Sequence, residues 1–444
     1  MRRWSRGMMN VLVLMLVPVV VNAAEYYVAK TGNNSGDGSV GDPWLTLNYA
    51  SSQLAAGDIL YIKAGTYNEN LDNVIPSGTS WANATTIAAY QNDVVTVAGI
   101  PASFRTIYIS NRQYIIIRGL IVEGTDGIPS QGGGGECIKS ENSDHIRVSD
   151  CELRNARNQG FLISKGSFFE LLNLTIHNNG IGATSNQVHG IYFSGTANSI
   201  VDGCRVYDNH AFGIHLWHNT QSNNNNIIRN NTTYGNGASG IIVGGGVDNL
   251  VYNNVAYQNG FRFNGSGVTV GFGASPDRNQ LYNNTTYDNV KNGIDIVSGT
   301  GTVVKNNIAF NNNTSPQIND AGSGTIISNN LTTDPVFVNA TTNDFHLQSN
   351  SPAIGKGVPL TAVTTDFDGK PRDPSAPDIG AFEFGASTTP PPEPPSLARS
   401  ENMTGHSNNF DPTNPQTTCG IVAHRRKTAA AGRVVLISRL LGGV

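Results

Sequence analysis

A repeat in the middle of the chain constrains the fold more than any other feature of this sequence. An apolar residue opens each unit of the approximate form Val-x-Asn-Asn-x-x-Tyr, and successive units begin 23, 27 or 30 residues apart. The opening positions are Val148, Leu171, Val201, Ile228, Val251, Leu281, Val304 and Ile327. Because the shortest step is 23 residues, we interpret the longer steps as loop insertions. A fixed period of this length is typical of solenoid proteins, whose units stack on their neighbours.

Two columns of equivalent residues follow from this register. Three residues after each opening position come Cys151, Leu174, Cys204, Asn231, Asn254, Asn284, Asn307 and Asn330. Six residues after come Arg154, His177, Tyr207, Tyr234, Tyr257, Tyr287, Phe310 and Thr333. A stacked column of Asn amides can form hydrogen bonds from coil to coil, and a stacked aromatic column can bury ring on ring. Both need equivalent residues about 4.8 Å apart, which is the spacing of adjacent strands.

Each unit also carries a second short strand of the form Gly-Ile-x-Ile, as in FGIHLW and NGIDIV. Alternation with a period of two places its two apolar residues inward and the residue between them outward. Short strands, Gly- and Asn-rich turns and a 23-residue period predict an all-β right-handed parallel β-helix solenoid. Leucine-rich repeats have a similar length, but their pattern of leucines and helices is missing.

The two flanks of the repeat resemble known proteins. The segment YYVAKTGNNSGDG is followed by GDILYIKAGTY, in which Gly57, Asp58 and Tyr61 stand out, and the far end reads SPAIGKG, DFDGKPR and DIGAFEF. These segments and the coils resemble the pectate-lyase-like β-helix superfamily of secreted bacterial proteins. The resemblance implies an N-terminal capping segment with a short helix over 47–54. It does not choose a chemistry, because that superfamily holds lyases, epimerases, hydrolases and non-catalytic binders.

Composition along the chain sets the expected domain boundaries. A basic start with Arg2 and Arg3, an apolar run from Met8 to Val21 and small residues at 21–23 predict an export signal and a secreted or cell-surface protein. Once the signal is cleaved we expect no membrane contact, and we expect a monomer. The predicted regions are a signal peptide (1–23), an N-terminal cap and first coils (24–112), β-helix repeats (113–333), a closing segment (334–386), a Pro-rich linker (387–398) and a disordered C-terminal tail (399–444).

Charge and cysteine content exclude some classes of protein. Charged residues make up 14% of the chain and its net charge is −4, so it lacks the concentrated basic face of a nucleic-acid binder. The four cysteines show no zinc-binding spacing. Cys151 and Cys204 share a column but lie two coils apart, about 10 Å by strand spacing, so we expect free thiols rather than a disulfide.

The outward residues of the Gly-Ile-x-Ile strands define the candidate site. The column runs through Leu162, Tyr192, His215, Ile242, Thr269 and Asp295, and we expect Lys139 in the same column. Trp217 points outward two residues after His215, His189 precedes its strand, and His218 follows its strand. The insertion GIGATSNQV and the segment GTDGIPSQGGGGE are expected to form walls beside this patch.

This patch suits chemistry on a polysaccharide. Lyases and epimerases of uronic acids need a base that removes the proton beside the carboxylate and a cation that offsets the growing charge. We therefore predict Lys139 or His215 as the base, with Tyr192 as a catalytic proton donor. Trp217 would stack on a sugar ring, with His189 and His218 as further substrate-binding residues. Each of these residues also has a plain structural reading, as a solvated or packed side chain of a repeat.

Calcium is the one cofactor that the resemblance suggests. Calcium-assisted lyases of the superfamily use clusters of acidic residues on the outward face. Here the column offers Asp295, and Glu136 lies near Lys139. This sparse set argues against a tight calcium site, which needs six to eight oxygen ligands.

Three functions remain open at this level. The first is a lyase or epimerase of a uronate-containing glycan. The second is a non-catalytic glycan-binding or cell-surface β-helix, which the regular Asn column and the few outward acids favour. The third is a glycoside hydrolase, which needs two carboxylates about 5 to 9.5 Å apart.

Overall fold

Short parallel strands wind into a solenoid whose coils each contribute to three faces, here called face A, face B and face C. The computed structural model describes residues 23–127, 134–217, 223–273 and 276–385. Contacts divide the chain into two units, Met1–Leu397 and Ala398–Val444, and every described residue belongs to the first unit. The Pro-rich linker, the tail and all but the last residue of the predicted signal peptide lie outside the described residues. The predicted all-β parallel β-helix is confirmed.

Faces A and B form one 21-stranded sheet because the long strand Glu136–Ser149 runs through both. Face A also contains Leu71–Asp72, Arg105–Ser110, Phe161–Ser167, Ile191–Ala197, Ile214–Leu216, Ile241–Val243, Val268–Val270, Ile294–Ile296 and Ile318–Asp320. Face B also contains Glu25–Val28, Ile59–Ile62, Thr85–Ala89, Gln113–Arg118, Glu170–Leu172, Ile200–Asp202, Ile227–Arg229, Leu250–Tyr252, Gln280–Tyr282, Val303–Lys305 and Ile326–Ser328.

Face C is a separate sheet of ten strands. Its strands are Gly65–Asn68, Val95–Ala98, Ile121–Glu123, Glu152–Arg154, Thr175–His177, Arg205–Tyr207, Thr232–Tyr234, Val255–Tyr257, Thr285–Tyr287 and Ile308–Phe310. The remaining elements are the helix Leu47–Gln53, the 3₁₀ turns Trp81–Asn83 and Ala340–Thr342, and an antiparallel hairpin of Phe337–Asn339 and Asp344–Leu347.

Pairs of adjacent asparagines form the corner between faces B and C. The first of each pair takes a left-handed conformation, as at Asn253 (φ 52°) and Asn230 (φ 53°), which Asn tolerates better than most residues. The second turns inward and joins a ladder. Asn254, for example, is fully buried and donates from Nδ2 to Asn284 Oδ1 at 2.9 Å, while its own Oδ1 accepts from Asn231. The ladder of Asn231, Asn254, Asn284, Asn307 and Asn330 confirms the predicted Asn column.

A second buried ladder, which the repeat analysis missed, lines the corner between faces C and A. Its members are Asn179, Asn209, Asn236, Asn259, Asn289 and Asn312. The signal is present in the sequence, because each follows an aromatic residue by two positions, as in Tyr234-Gly-Asn236. Its amides meet the glycines that open the face A strands. A Cβ at Gly240 would lie 2.8 Å from Asn259 Nδ2, so the glycine leaves room for the ladder.

The predicted aromatic column exists, but it lies on the outer side of face C rather than inside the coils. In the strand Thr232–Tyr234 the middle residue Thr233 is fully buried and points inward, so Tyr234 points outward and is half-buried. Tyr207 and Tyr234 stack with ring centroids 4.7 Å apart, and His177 stacks on Tyr207 at 4.8 Å. The one-strand spacing that we predicted is therefore correct, and the rings lie outside the coil interior. Tyr257 is nevertheless buried, in a second core cluster that includes residues of the closing segment.

The two flanking segments cover different parts of the solenoid. The helix Leu47–Gln53 buries Leu47 and Ala50 in the main core against the first strands, as expected for a cap. The closing segment instead folds along the side of face C, where Phe345 packs against Tyr257 and Tyr287. No helix of the described residues is long and apolar enough to cross a membrane.

The described cysteines, Cys137, Cys151 and Cys204, are buried free thiols, as expected for the two that share a column. Cys419 lies outside the described residues.

Candidate functional site

Strand pairing on face A fixes the order of the outward residues. Lys139 pairs with Leu162, Leu162 with Tyr192, and Tyr192 with His215. The column continues from His215 through Ile242, Thr269, Asp295 and Asn319. The register predicted from the sequence is therefore correct from Lys139 to Asp295.

A cavity of about 360 Å³ opens on face A and extends from His215 toward the later coils. Its lining combines aromatic side chains, small polar side chains and a single cation. The lining residues are Asn186, Gln187, Phe212, His215, Trp217, Ala238, Ser239, Ile242, Phe263, Asn264, Gly265, Ser266, Thr269, Phe272, Lys291 and Asp295. This volume and composition are typical of small-ligand sites, which are mostly apolar with a few polar groups.

Trp217 forms part of the wall, and the glycines below it set its position. A Cβ at Gly244 would lie 2.8 Å from the indole Cδ1, and a Cβ at Gly273 would lie equally close. The indole therefore lies across the backbone of the next two coils, and side chains at those positions would displace it. Trp217 remains partly exposed, so part of its side chain is accessible to a ligand.

Phe272 adds an exposed aromatic surface to the same cavity. It is 65% exposed and has φ 82°, a conformation in which a bulky residue is strained. Strained residues of this kind cluster at binding and active sites. Phe212 and Phe263 complete the aromatic lining.

Lys291 is the cation of the cavity. Its Nζ lies 2.5 Å from Oδ2 of Asp295, and Asn319 donates to the other carboxylate oxygen at 2.7 Å. Asp295 is buried, while about a third of the Lys291 side chain is exposed. The carboxylate therefore holds the ammonium group at the wall of the cavity, where other ligand atoms can still reach it.

His215, which lines the cavity, packs against two aromatic side chains that lie behind it. His215 Nδ1 lies 2.9 Å from His189 Nε2, and the Tyr192 ring stacks on His215 with centroids 5.0 Å apart. His189 is almost fully buried. Burial lowers the pKa of His215 to about 3, and burial together with the His215 and His210 imidazoles lowers the pKa of His189 well below its usual range. Burial also raises the pKa of Tyr192. All three side chains are therefore neutral at neutral pH.

Lys139 lies in a separate group at the other end of the column, two coils from Tyr192. Its Nζ is 3.4 Å from Glu141 Oε2, and the same oxygen accepts a hydrogen bond from Tyr108 at 2.9 Å. Arg105 packs over the Tyr108 ring. Two strand spacings amount to about 10 Å, so Lys139 does not reach the cavity.

The structure brings together some of the sequence-predicted site residues and not others. His215 and Trp217 line the cavity, while His189 and Tyr192 pack behind His215. Lys139 lies apart, and His218 lies outside the described residues. Sequence reasoning missed the cavity residues that come from loops, chiefly Lys291 and Phe272. Lys291 could have been found, because it precedes the Gly-Ile-Asp-Ile strand that carries Asp295.

Asp295 and Glu141 on face A do not fit a calcium ion. Both Asp295 oxygens already bond to Lys291 and Asn319, and Glu141 bonds to Lys139 and Tyr108. Over the part of the chain that the structure describes, no group of three or more His, Cys, Asp and Glu side chains could hold a metal. Asp295 is also the one carboxylate among the described residues that line the cavity, so the acid pair of a glycoside hydrolase is missing there.

Comparisons with known proteins agree with this architecture. Pectate lyase L of Dickeya dadantii (strain 3937) is 26% identical over 414 residues, which cover 81% of this chain and 90% of that protein. An uncharacterised protein of Bacillus subtilis (strain 168) is 29% identical over 172 residues, and the match spans only 36% of its length. The crystal structure of pectate lyase Pel9A superposes with a TM-score of 0.62 at 20% identity, covering 82% of this chain and 96% of that one. The family described as "Pel9A-like, right handed beta helix region" matches residues 26–319, and the chain belongs to this family.

Proposed function

We propose that this protein acts on an acidic, uronate-containing polysaccharide, as a lyase or epimerase that binds its substrate in the cavity on face A. The observation that carries the proposal is the lining of that cavity, where Trp217 and Phe272 lie beside the Lys291 ammonium group. The pectate lyase relative supports the class of substrate.

Each part of the lining suits a uronate. The apolar face of a sugar ring packs against an aromatic ring, and the partly exposed Trp217 side chain offers such a platform. The sugar carboxylate would approach the Lys291 ammonium group, which Asp295 holds in place. Because the wall is largely apolar, this charge interaction is stronger than it would be in water.

Lyases and epimerases of uronates share their first chemical step. A base removes the proton from the carbon beside the carboxylate, and negative charge then grows on the carboxylate group. A cation that already contacts the carboxylate stabilises this charge more as it grows. We propose Lys291 for this role because it lines the cavity, whereas Lys139 is not among the described residues that line it.

A second candidate is a glycan-binding protein without catalytic activity. It is favoured by the neutralised charges of the cavity, since Lys291 is paired with Asp295 and burial lowers the pKa of His215 to about 3. Both candidates use the same surface and predict saturable binding of the same polysaccharide. They differ in whether a product forms.

The test is to incubate the protein with polygalacturonate, alginate and chondroitin, each with calcium and with a chelator. Unsaturated sugar ends, seen by their ultraviolet absorbance, identify a lyase, and a change in uronate stereochemistry by NMR identifies an epimerase. Saturable binding without either product supports the binding protein. If none of these acidic polysaccharides binds or reacts while a neutral glycan does, the proposed substrate class is wrong.

We also propose that the protein works outside the cytoplasm, because its N-terminal 23 residues match an export signal. Expression in a bacterium followed by fractionation tests this. We expect the mature protein to begin near Ala24, and a cytoplasmic protein that keeps Met1 would contradict the proposal.

A further inference from the structure

The buried imidazole of His189 has one nitrogen in a hydrogen bond to His215 and one nitrogen without a partner among the described residues. His189 uses Nε2 in this bond, and its ring packs against Phe212 and Tyr192. The ring is only 1% exposed, and its Nδ1 has no hydrogen-bond partner among the described residues. His189 does not line the cavity, whereas His215 does.

Two neutral arrangements of protons are compatible with this bond. In the first, His215 donates from Nδ1, so His189 accepts at Nε2 and must carry its own proton on Nδ1. That arrangement buries an N–H donor that has no acceptor. In the second, His189 donates from Nε2 and keeps a bare Nδ1, and the proton of His215 sits on Nε2. Buried N–H groups without partners are rarer than under-satisfied acceptors, so the second arrangement is the more stable one.

We propose that His189 is a positioning residue that holds His215 as the Nε2–H tautomer, so that His215 presents a neutral N–H donor to the cavity. Since Nδ1 of His215 is engaged by His189, Nε2 is the ring nitrogen left for a ligand. The ligand group that it would recognise is an oxygen acceptor, such as a hydroxyl or carboxylate oxygen of a sugar. This ligand assignment rests on the proposed function, but the tautomer does not.

This tautomer changes the role that the sequence suggested for His215. A nitrogen that already carries a proton cannot remove one, so His215 orients or stabilises the sugar and does not serve as the base. Burial works in the same direction, because it keeps both imidazoles neutral at neutral pH. The groups that face the pair are Tyr192, which stays a neutral phenol, and His210.

The direct test is NMR of the full-length protein labelled with ¹⁵N at histidine, without any ligand, at neutral pH. The signals of the pair are assigned from His189→Phe and His215→Phe variants. We expect protonated Nε2 and bare Nδ1 nitrogens on both rings. A proton on Nδ1 of His215, or an imidazolium in either ring, would overturn the proposal whatever the protein binds.

A second test measures affinity for polygalacturonate in variants of His189. His189→Gln keeps an amide N–H donor near the position of Nε2, so we expect its affinity to stay within about threefold of the wild type. His189→Phe removes the donor and frees the His215 ring, and we expect about a tenfold loss, the usual value of one hydrogen bond to a ligand. His177→Tyr on face C is the matched control, because equivalent coils carry Tyr there.

The outcomes separate the two proposals. Equal affinity of the His189→Phe variant and the wild type would refute the positioning role while leaving the polysaccharide site intact. If the wild type does not bind polygalacturonate, the NMR result still decides the tautomer, and the failure belongs to the proposed function. Circular dichroism and the melting temperature show whether each variant is folded.

Discussion

Trp217 shows how one residue of this protein depends on the coils around it. Its outward position follows from the alternation in FGIHLW, and that much could be predicted from the sequence. The orientation of its ring could not, because it depends on the missing side chains of Gly244 and Gly273 on later coils. A side chain at either glycine would meet the indole, so the glycines leave the space that the ring occupies.

Replacing Trp217 with Ala should weaken binding of polygalacturonate about tenfold, because the sugar loses its aromatic platform. Trp217→Phe should keep most of the affinity. Isothermal titration calorimetry measures the effect. Phe261→Ala is the matched control, since Phe261 is 58% exposed but does not line the cavity. An unchanged affinity in Trp217→Ala would place the glycan elsewhere.

The charge of Lys291 can be tested without leaving Asp295 unpaired. In the double variant Lys291→Met with Asp295→Asn, the buried amide keeps its contact with Asn319 and no charge is left alone. We expect about a tenfold loss of affinity for oligogalacturonate and no loss for a neutral oligogalactan. Lys305→Met on face B is the control. Equal losses of affinity for the acidic and the neutral sugar would show that Lys291 does not recognise the sugar carboxylate.

The position of the cavity as a whole was only partly predictable. The register of the repeat placed Tyr192, His215 and Asp295 in one column, because strand pairing keeps equivalent residues in line. Lys291 and Phe272 come from turns outside the period-two pattern, so alternation says nothing about where they point. The same register placed Lys139 two coils from Tyr192, as the structure shows, but it could not show that the cavity lies on the other side of His215.

At the level of strands and turns, the two Asn ladders that flank face C connect one coil with the next. The strands on face C have only three or four residues, so their backbone pairing is short and the corner amides supply additional hydrogen bonds. The first ladder could be predicted because its residues share a fixed position in the repeat. The register of the aromatic column was predicted correctly. Its side of the sheet was not, since the middle residue of each three-residue strand on face C points inward and the two end residues point outward.

Asn254→Ala should lower the free energy of unfolding by about 2–4 kcal/mol, because it removes hydrogen bonds from several buried groups. The backbone N–H and Nδ2 of Asn231 lose their bonds to Asn254 Oδ1, and the carbonyl of Ile228 and Oδ1 of Asn284 lose their bonds from Asn254 Nδ2. Urea unfolding followed by circular dichroism measures the change. Asn313→Ala, an exposed position outside both ladders, should change it by less than about 0.5 kcal/mol. Similar values for the two variants would mean that the ladder adds little.

On the scale of the whole molecule, the closing segment joins distant parts of the chain. The buried Arg372 donates to Asn253 at 2.9 Å, and Asn283 and Asn306 donate to carbonyls of Asp378 and Val358. The asparagines at the corners between faces B and C therefore also form hydrogen bonds to the closing segment. The sequence motifs identified this segment, but they could not show that it lies along face C, because its contacts span about 50 to 120 residues.

His346 makes the stability of this segment depend on pH. It lies between Asp344 and Asp368, and the hydrogen bond to Asp368 is the main cause that raises its pKa from 6.5 to about 9. The folded state therefore binds the proton more tightly than the unfolded state, so the stabilisation is complete below pH 6.5 and is lost as the pH rises through about 9.

Because the imidazole is only half-buried, we expect the wild type to lose about 1 kcal/mol of unfolding free energy between pH 6.5 and 9 through this group. The variant His346→Gln should not show this loss. Urea titrations at the two pH values measure it. A variant with the same pH dependence as the wild type would contradict the assignment.

The central claim is that a uronate-containing glycan binds in the cavity on face A. A crystal structure of the protein with an oligogalacturonate tests it most directly. We expect a sugar ring to stack on Trp217, with a uronate carboxylate of the bound oligosaccharide at Lys291 Nζ and an oxygen of another sugar unit at His215 Nε2. A sugar bound on another face, or only beside Lys139 with the cavity empty, would contradict the claim.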